Sequence, residues 1–190
     1  MKRIAIFGSG AGTNADRILK HFEESELARV HLVLTNRKNA GIIDKARKYG
    51  LPAMVFSPEQ LQNGSVLEKL RAHKIDLIVL AGFLKKIPIH IIEAFPNRII
   101  NIHPALLPDY GGEGMYGMNV HKAVVENEEF ETGITIHFIN EDYDEGEIIF
   151  QETVEVDPDD SPEDVAYKVQ ELEHRHYPEV IEWVLTEMDI

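Results

Sequence analysis

Through the first half of the chain, short apolar runs rich in Ile, Val and Leu alternate with segments whose apolar residues recur at helical spacing. Arg3–Phe7 (RIAIF) reads as a buried strand. Ala15–Glu24 reads as a helix with Ile18, Leu19 and Phe22 on one face. Val30–Thr35, Ala53–Phe56, Asp76–Leu80 and Arg98–Ile102 read as further strands, separated by helices at Gly41–Tyr49, Val66–His73 and Ile89–Ala94. Uninterrupted apolar strands alternating with helices predict an α/β protein: an open, twisted, mostly parallel sheet with helices on both faces.

The second half changes character. Asp109–Asn119 is rich in Gly and Met and reads as loop, and Val120–Glu126 as helix. Gly133–Ile139 and Glu147–Val156 read as strands that either pair antiparallel or extend the sheet. Ser161-Pro162-x-Asp164 has the pattern of a helix start. Val165, Val169 and Leu172 give that helix a buried stripe, continued by Val180, Ile181 and Val184, with a kink or break expected at Pro178.

Composition narrows the functional classes. A formal net charge of -14 disfavours a nucleic-acid partner, since phosphate contacts need a basic surface. The longest apolar run, Ile75–Leu84, is too short to span a bilayer and contains Asp76, so no membrane partner is expected. The apolar run after Met1-Lys2-Arg3 is too short for a signal peptide, and the chain has no cysteine, which is compatible with a cytoplasmic location. No H-E-x-x-H or comparable spacing suggests a metal.

Four stretches carry candidate chemistry. Gly8-Ser9-Gly10-Ala11-Gly12-Thr13-Asn14 joins the first strand to the first helix, where glycines admit a ligand and the helix start offers N–H groups to an anion. The spacing departs from G-x-G-x-x-G, and Thr35-Asn36-Arg37 stands where a dinucleotide site would place an acidic residue, so a monophosphate fits better. Asn101 and His103 sit at the carboxyl end of a strand, two residues apart, so both can face one crevice, and Pro104 stops the strand. An amide can donate to an oxyanion, and an imidazole can move a proton. Asp144 lies in the acidic turn EDYDEG, and a carboxylate beside an imidazole would raise its pKa and fix its tautomer. Gln170 and Glu173 share one face of the last helix. Each stretch also has a plain structural reading: a tight turn, a hydrogen-bonded Asn with a half-buried His, a solvated turn, a solvated helix flank. His121 and His137 could lie near the crevice, whereas His174 and His176 read as helix surface.

Together, IFGSGAGTNADRIL, LAGFLKKI, NIHPALLP, GITIHFINEDYDEGEII and VQELEHRHYPEVI resemble, in order and nearly end to end, the folate-dependent formyltransferase family. The resemblance implies one Rossmann-like domain over residues 1–190, with a phosphate-binding half (1–100) and a catalytic, folate-closing half (101–190). It implies transfer of the formyl group of 10-formyltetrahydrofolate, a cosubstrate, to the amine of glycinamide ribonucleotide in purine synthesis, by a monomer or homodimer and without a metal. Asn101, His103 and Asp144 are then the catalytic trio, with Asn101 and a protonated His103 stabilising the oxyanion and Asp144 keeping His103 charged. Gly12, Thr13 and Asn14 would cradle the phosphate, and Gln170 and Glu173 would hold the rest of the ribonucleotide. Phe83, Leu84, Lys85, Lys86 and Ile87 would wall the folate site. The connection from Asn140 through Glu141 to Asp144 would close over the pterin. Gly111–Val120 is longer than loops common in the family, and its glycines suggest a mobile flap. Phe56–Val66 lacks the arginine that members often place near the folate, leaving Lys85 or Lys86 for that part. A member acting on tRNA would need a basic surface. A sugar-nucleotide acceptor is not separated by the trio, but Gln170 and Glu173 match the ribonucleotide enzyme better.

Overall fold

The computed structural model describes residues 1–142 and 144–188. Among these, one seven-stranded sheet runs in the order β3-β2-β1-β4-β5-β6-β7. The strands are β1 (Lys2–Phe7), β2 (Ala28–Thr35), β3 (Ala53–Val55), β4 (Leu77–Leu80), β5 (Ile99–His103), β6 (Glu131–Phe138) and β7 (Ile148–Glu155). The helices are α1 (Thr13–His21), α2 (Ile42–Lys48), α3 (Pro58–Gln62), α4 (Ser65–Ala72), α5 (Ile89–Ala94), α6 (Met118–Glu126) and α7 (Pro162–Glu187). The strands through β5 pair parallel, as their continuous apolar runs predict. β6 and β7 both form an antiparallel pair and extend the sheet, so the two alternatives open in the sequence are both realised.

The chain winds outward from β1 through β2 to β3, then returns to place β4 on the other side of β1. This reversal is the point where open α/β sheets leave a crevice beyond the strand ends. Alternate residues of the central strands feed two apolar layers. Ile4, Ile6, Leu77, Val79, Ile100 and Ile102 enter the layer shared with α1, α2 and α7, whereas Ala5, Phe7, Ile78, Leu80 and Ile99 enter the layer under α3, α4 and α5.

Several boundaries differ from the sequence reading. α1 starts two residues early because Gly12, at φ 76°, turns the chain directly into it, and α1 ends at His21 rather than Glu24. β5 extends to His103, so the imidazole belongs to the strand itself. Helix α3 was not anticipated, although Ser57 and Gln60 close a reciprocal capping box around Pro58. Ser161 and Asp164 form the anticipated box at the start of α7. That helix continues unbroken through Pro178. Loss of one N–H and the ring clash cost about 3 kcal/mol, offset here by packing of the buried Tyr177, Pro178, Val180 and Ile181. The Tyr177 hydroxyl lies 2.9 Å from the Leu80 carbonyl and 3.3 Å from that of Ile100, beneath the ends of β4 and β5.

Candidate active site

A cavity of about 710 Å³ opens beyond the carboxyl ends of β1, β4 and β5. At one end lies the loop after β1. No side chain caps α1, so the first N–H groups of the helix have no intrahelical partners where Gly12, Thr13 and Asn14 line the cavity. Only glycine fits position 12, since a Cβ there would stand 2.7 Å from the Ile42 Cα, and the left-handed backbone adds strain. α7 crosses behind this loop. Gln170 Nε2 reaches Thr13 Oγ1 at 3.4 Å, and Asn14 Nδ2 donates to Glu173 Oε2 at 2.8 Å. The two residues therefore face the cavity rather than forming a solvated flank. Burial raises the Glu173 carboxyl to about 7, against the opposing effect of the Asn14 hydrogen bond.

At the other end, Asn101 and His103 line the cavity from β5. His103 is buried, and its Nε2 lies 2.8 Å from the Tyr110 carbonyl. A carbonyl only accepts, so Nε2 carries hydrogen and Nδ1 is left as the variable atom. Nδ1 stands 3.5 Å from Asp144 Oδ2. Asp144 adopts a left-handed backbone (φ 55°) and accepts the Gly112 N–H at 3.0 Å, so its carboxylate ties the 112 loop to the trio. Burial works against the ionised form of Asp144. The neighbouring His137 and His103 and the Gly112 N–H outweigh it and hold the carboxyl below its ordinary value.

The protonation of His103 departs from expectation. Desolvation lowers its pKa below the ordinary imidazole value, and the opposing pull of Asp144 does not make up the difference. Burial thus favours the neutral imidazole, with an unprotonated Nδ1, over a standing imidazolium. His121 and His137 do lie at the site. His121 lines the cavity with a buried Nδ1 that has no hydrogen-bond partner among the described residues, and burial followed by the nearby His103 lowers its pKa. His137 is fully buried beside Asn101 and Asp144.

Phe83, Leu84, Lys85, Lys86 and Ile87 line the wall between the two ends, Phe83 and Ile87 buried and both lysines exposed. This segment is tied to the loop after β1 through Ser9, whose Oγ accepts the Leu84 N–H at 3.1 Å and donates to Asn36 Oδ1 at 2.7 Å. The sequence pattern singled out neither Ser9 nor Asn36. Asn140 and Asp142 line the rim, but Glu141 is exposed and does not. Tyr143, in the same connection, lies outside the described residues. The segment from Gly112 to Met118 also lines the cavity. His174 is half-buried, with both ring nitrogens enclosed and unpartnered among the described residues, so it is not the surface residue its helix position suggested. His176 is also half-buried, its ring packed against Phe150. Among the described residues, no cluster of His, Cys, Asp or Glu could hold a metal ion, and no helix is long and apolar enough to cross a membrane.

The sequence pattern of the formyl transferase family matches residues 2–181. The chain belongs to that family. Within it, the chain is 42% identical over 187 residues to the chloroplastic phosphoribosylglycinamide formyltransferase of Arabidopsis thaliana, an alignment covering 95% of this chain and 64% of that protein. It thus spans just under two thirds of the length of this plant relative. It is 34% identical to the phosphoribosylglycinamide formyltransferase of Bacillus subtilis (strain 168), covering 97% of this chain and 95% of the relative. The crystal structure of glycinamide ribonucleotide transformylase 1 from Symbiobacterium toebii superposes with a TM-score of 0.90 at 34% identity, covering 98% of this chain and 89% of that one. The mostly parallel sheet with helices on both faces is therefore the formyltransferase fold.

Proposed function

We propose that the chain transfers the formyl group of 10-formyltetrahydrofolate to the amine of glycinamide ribonucleotide. The observation that carries this reading is the convergence, in one cavity, of the Asn101–His103–Asp144 trio with the glycine loop before α1. The formyltransferases named above act, by their names, on phosphoribosylglycinamide.

In this reading the first N–H groups of α1, with Gly12, Thr13 and Asn14, hold the phosphate of the ribonucleotide. Gln170 and Glu173 receive its sugar. Phe83, Leu84, Lys85, Lys86 and Ile87 flank the folate, the lysines meeting its anionic tail, with Asn140 at the rim; Glu141 contributes backbone only. The amine nitrogen attacks the formyl carbon, and the new C–N bond forms as the carbonyl oxygen becomes an oxyanion. Asn101 donates to that oxygen, an interaction typically worth ~3–4 kcal/mol in the transition state. The amine then sheds a proton to the unprotonated His103 Nδ1. The imidazolium so formed is stabilised by Asp144 and returns a proton to N10 of the folate as the old C–N bond breaks. A lowered His103 pKa suits this use, since a base must begin neutral and Asp144 favours charge only once the proton arrives.

The test mixes purified protein with glycinamide ribonucleotide and 10-formyltetrahydrofolate, follows folate absorbance, and runs His103→Ala alongside. The expected outcome is amine-dependent turnover that falls by about 100-fold or more in the variant. Turnover without the amine would make the chain a deformylase. Folate binding without turnover would point to another acceptor, such as a sugar nucleotide.

A further inference from the structure

Asn101 and His137 are direct cross-strand partners on β5 and β6, so their side chains leave the same face of the sheet. His137 is fully buried, and its two ring nitrogens meet different kinds of atom. Nδ1 lies 2.9 Å from the Phe138 carbonyl oxygen, which can only accept, so Nδ1 bears hydrogen. Nε2 lies 3.2 Å from Asn101 Nδ2, and an amide nitrogen can only donate. Both contacts are satisfied at once by the neutral Nδ1–H tautomer, with the Nε2 lone pair accepting from Asn101. Nε2 also stands 3.6 Å from Asp144 Oδ1, a contact that a proton on Nε2 would serve instead; the two contacts compete for this nitrogen, and the shorter one, to Asn101, assigns it the lone pair.

The nitrogen and oxygen ends of an amide have nearly the same shape, so packing cannot choose between them; only hydrogen bonds can. Among the described residues Asn101 makes no other side-chain hydrogen bond. We propose that His137 is a positioning residue that selects the amide orientation of Asn101: its lone pair takes one N–H of Nδ2, leaving the second N–H for the oxyanion in the cavity. The reversed amide would set its oxygen against that lone pair and present the amide nitrogen away from it. This inference rests on the formyl-transfer reading above for its catalytic consequence, though not for its geometry.

The test is a double-mutant cycle with two added readouts. His137→Leu removes the lone pair, and its kcat is expected to fall about 10- to 100-fold, short of or equal to loss of the donor itself, with KM for both substrates within about two-fold. In an Asn101→Ala background the same change is expected to cost nothing further. His137→Gln, whose side-chain oxygen can accept in place of Nε2, is expected to recover most of the rate. Nitrogen-15 NMR of the wild-type imidazole is expected to show Nε2 unprotonated. An equal loss in both backgrounds, an unchanged kcat in His137→Leu, or a protonated Nε2 near neutral pH would each overturn the proposal. Wild-type protein without formyl transfer would instead overturn the proposed function, and the NMR signal would still decide the tautomer. Should His137→Leu fail to fold, His137→Gln alone and combined with Asn101→Ala replaces it: a kcat near wild type supports the proposal, and a loss of equal size in both backgrounds overturns it.

Discussion

The two faces of β6 do different work with the same degree of burial. Ile134 and Ile136 are fully enclosed in the apolar layer shared with α7. Thr135 and His137, between and beyond them, are equally enclosed on the opposite face. On the first face burial alone is favourable, and any well-fitting apolar side chain serves. On the second it is unfavourable unless every polar atom has a partner. Thr135 meets that condition fully: its Oγ1 accepts from Leu107 N and Gln151 Nε2 and donates to the Ala105 carbonyl. The lesson is that the sheet itself changes purpose across its width. Under α3, α4 and α5 this second face is apolar, and beyond β5 it becomes a polar surface that holds the turn after His103 and the site residues.

Ile134→Ala gives the largest expected effect. It should destabilise the protein by about 2–5 kcal/mol, read as a lower urea midpoint, while the folded fraction keeps its kcat. A loss of kcat without loss of stability would erase the distinction between the faces. Thr135→Val is next, at roughly 1–3 kcal/mol, because it strands a buried N–H and a carbonyl while keeping the shape. Here kcat should fall too, since the turn from Ala105 to Tyr110 supplies the carbonyl that fixes His103. Stability loss with unaltered kcat would show that the polar face is merely structural.

Near pH 5 Glu173→Gln gives the smallest expected effect of the three, and it sharpens the boundary of the contrast, because Glu173 sits on α7 where its apolar layer meets the cavity. Its folded pKa of about 7 lies above the ordinary 4.5, so folding favours the protonated form. That contribution is complete below pH 4.5, declines as pH rises through the interval, and is gone above about 7. The slope stays under about 1.4 kcal/mol per pH unit. The glutamine variant, unable to ionise, should gain stability relative to wild type as pH rises from 5 to 8. Parallel denaturation curves for the two proteins at both pH values would show that Glu173 titrates normally in the fold.

The strands were legible because buried parallel strands need unbroken apolar runs, and RIAIF and DLIVL are such runs. The capping pattern is legible at Ser161 but not at Ser57, where it opens a helix of only five residues with little periodicity to support it. Asn101 and His103 could be read because they are neighbours in the chain. Their link to His137 could not, since it depends on the antiparallel register of β5 against β6, set by connections of no fixed length. The charge balance at His103 is hard to read from sequence for a related reason: the carboxylate partner is visible there, but the depth of burial that works against the charged form is a property of the folded shell.

The Ser9 hydroxyl is a small feature with a long reach. It accepts from the backbone of the 83–87 wall while belonging to the loop that precedes α1. Together with the Ser9 N–H, which donates to the Gly82 carbonyl at 3.0 Å, it ties two adjoining parts of the cavity lining to each other. In the language of linkage, any coupling carried through this tie would run equally in both directions, each ligand changing the affinity for the other by the same factor.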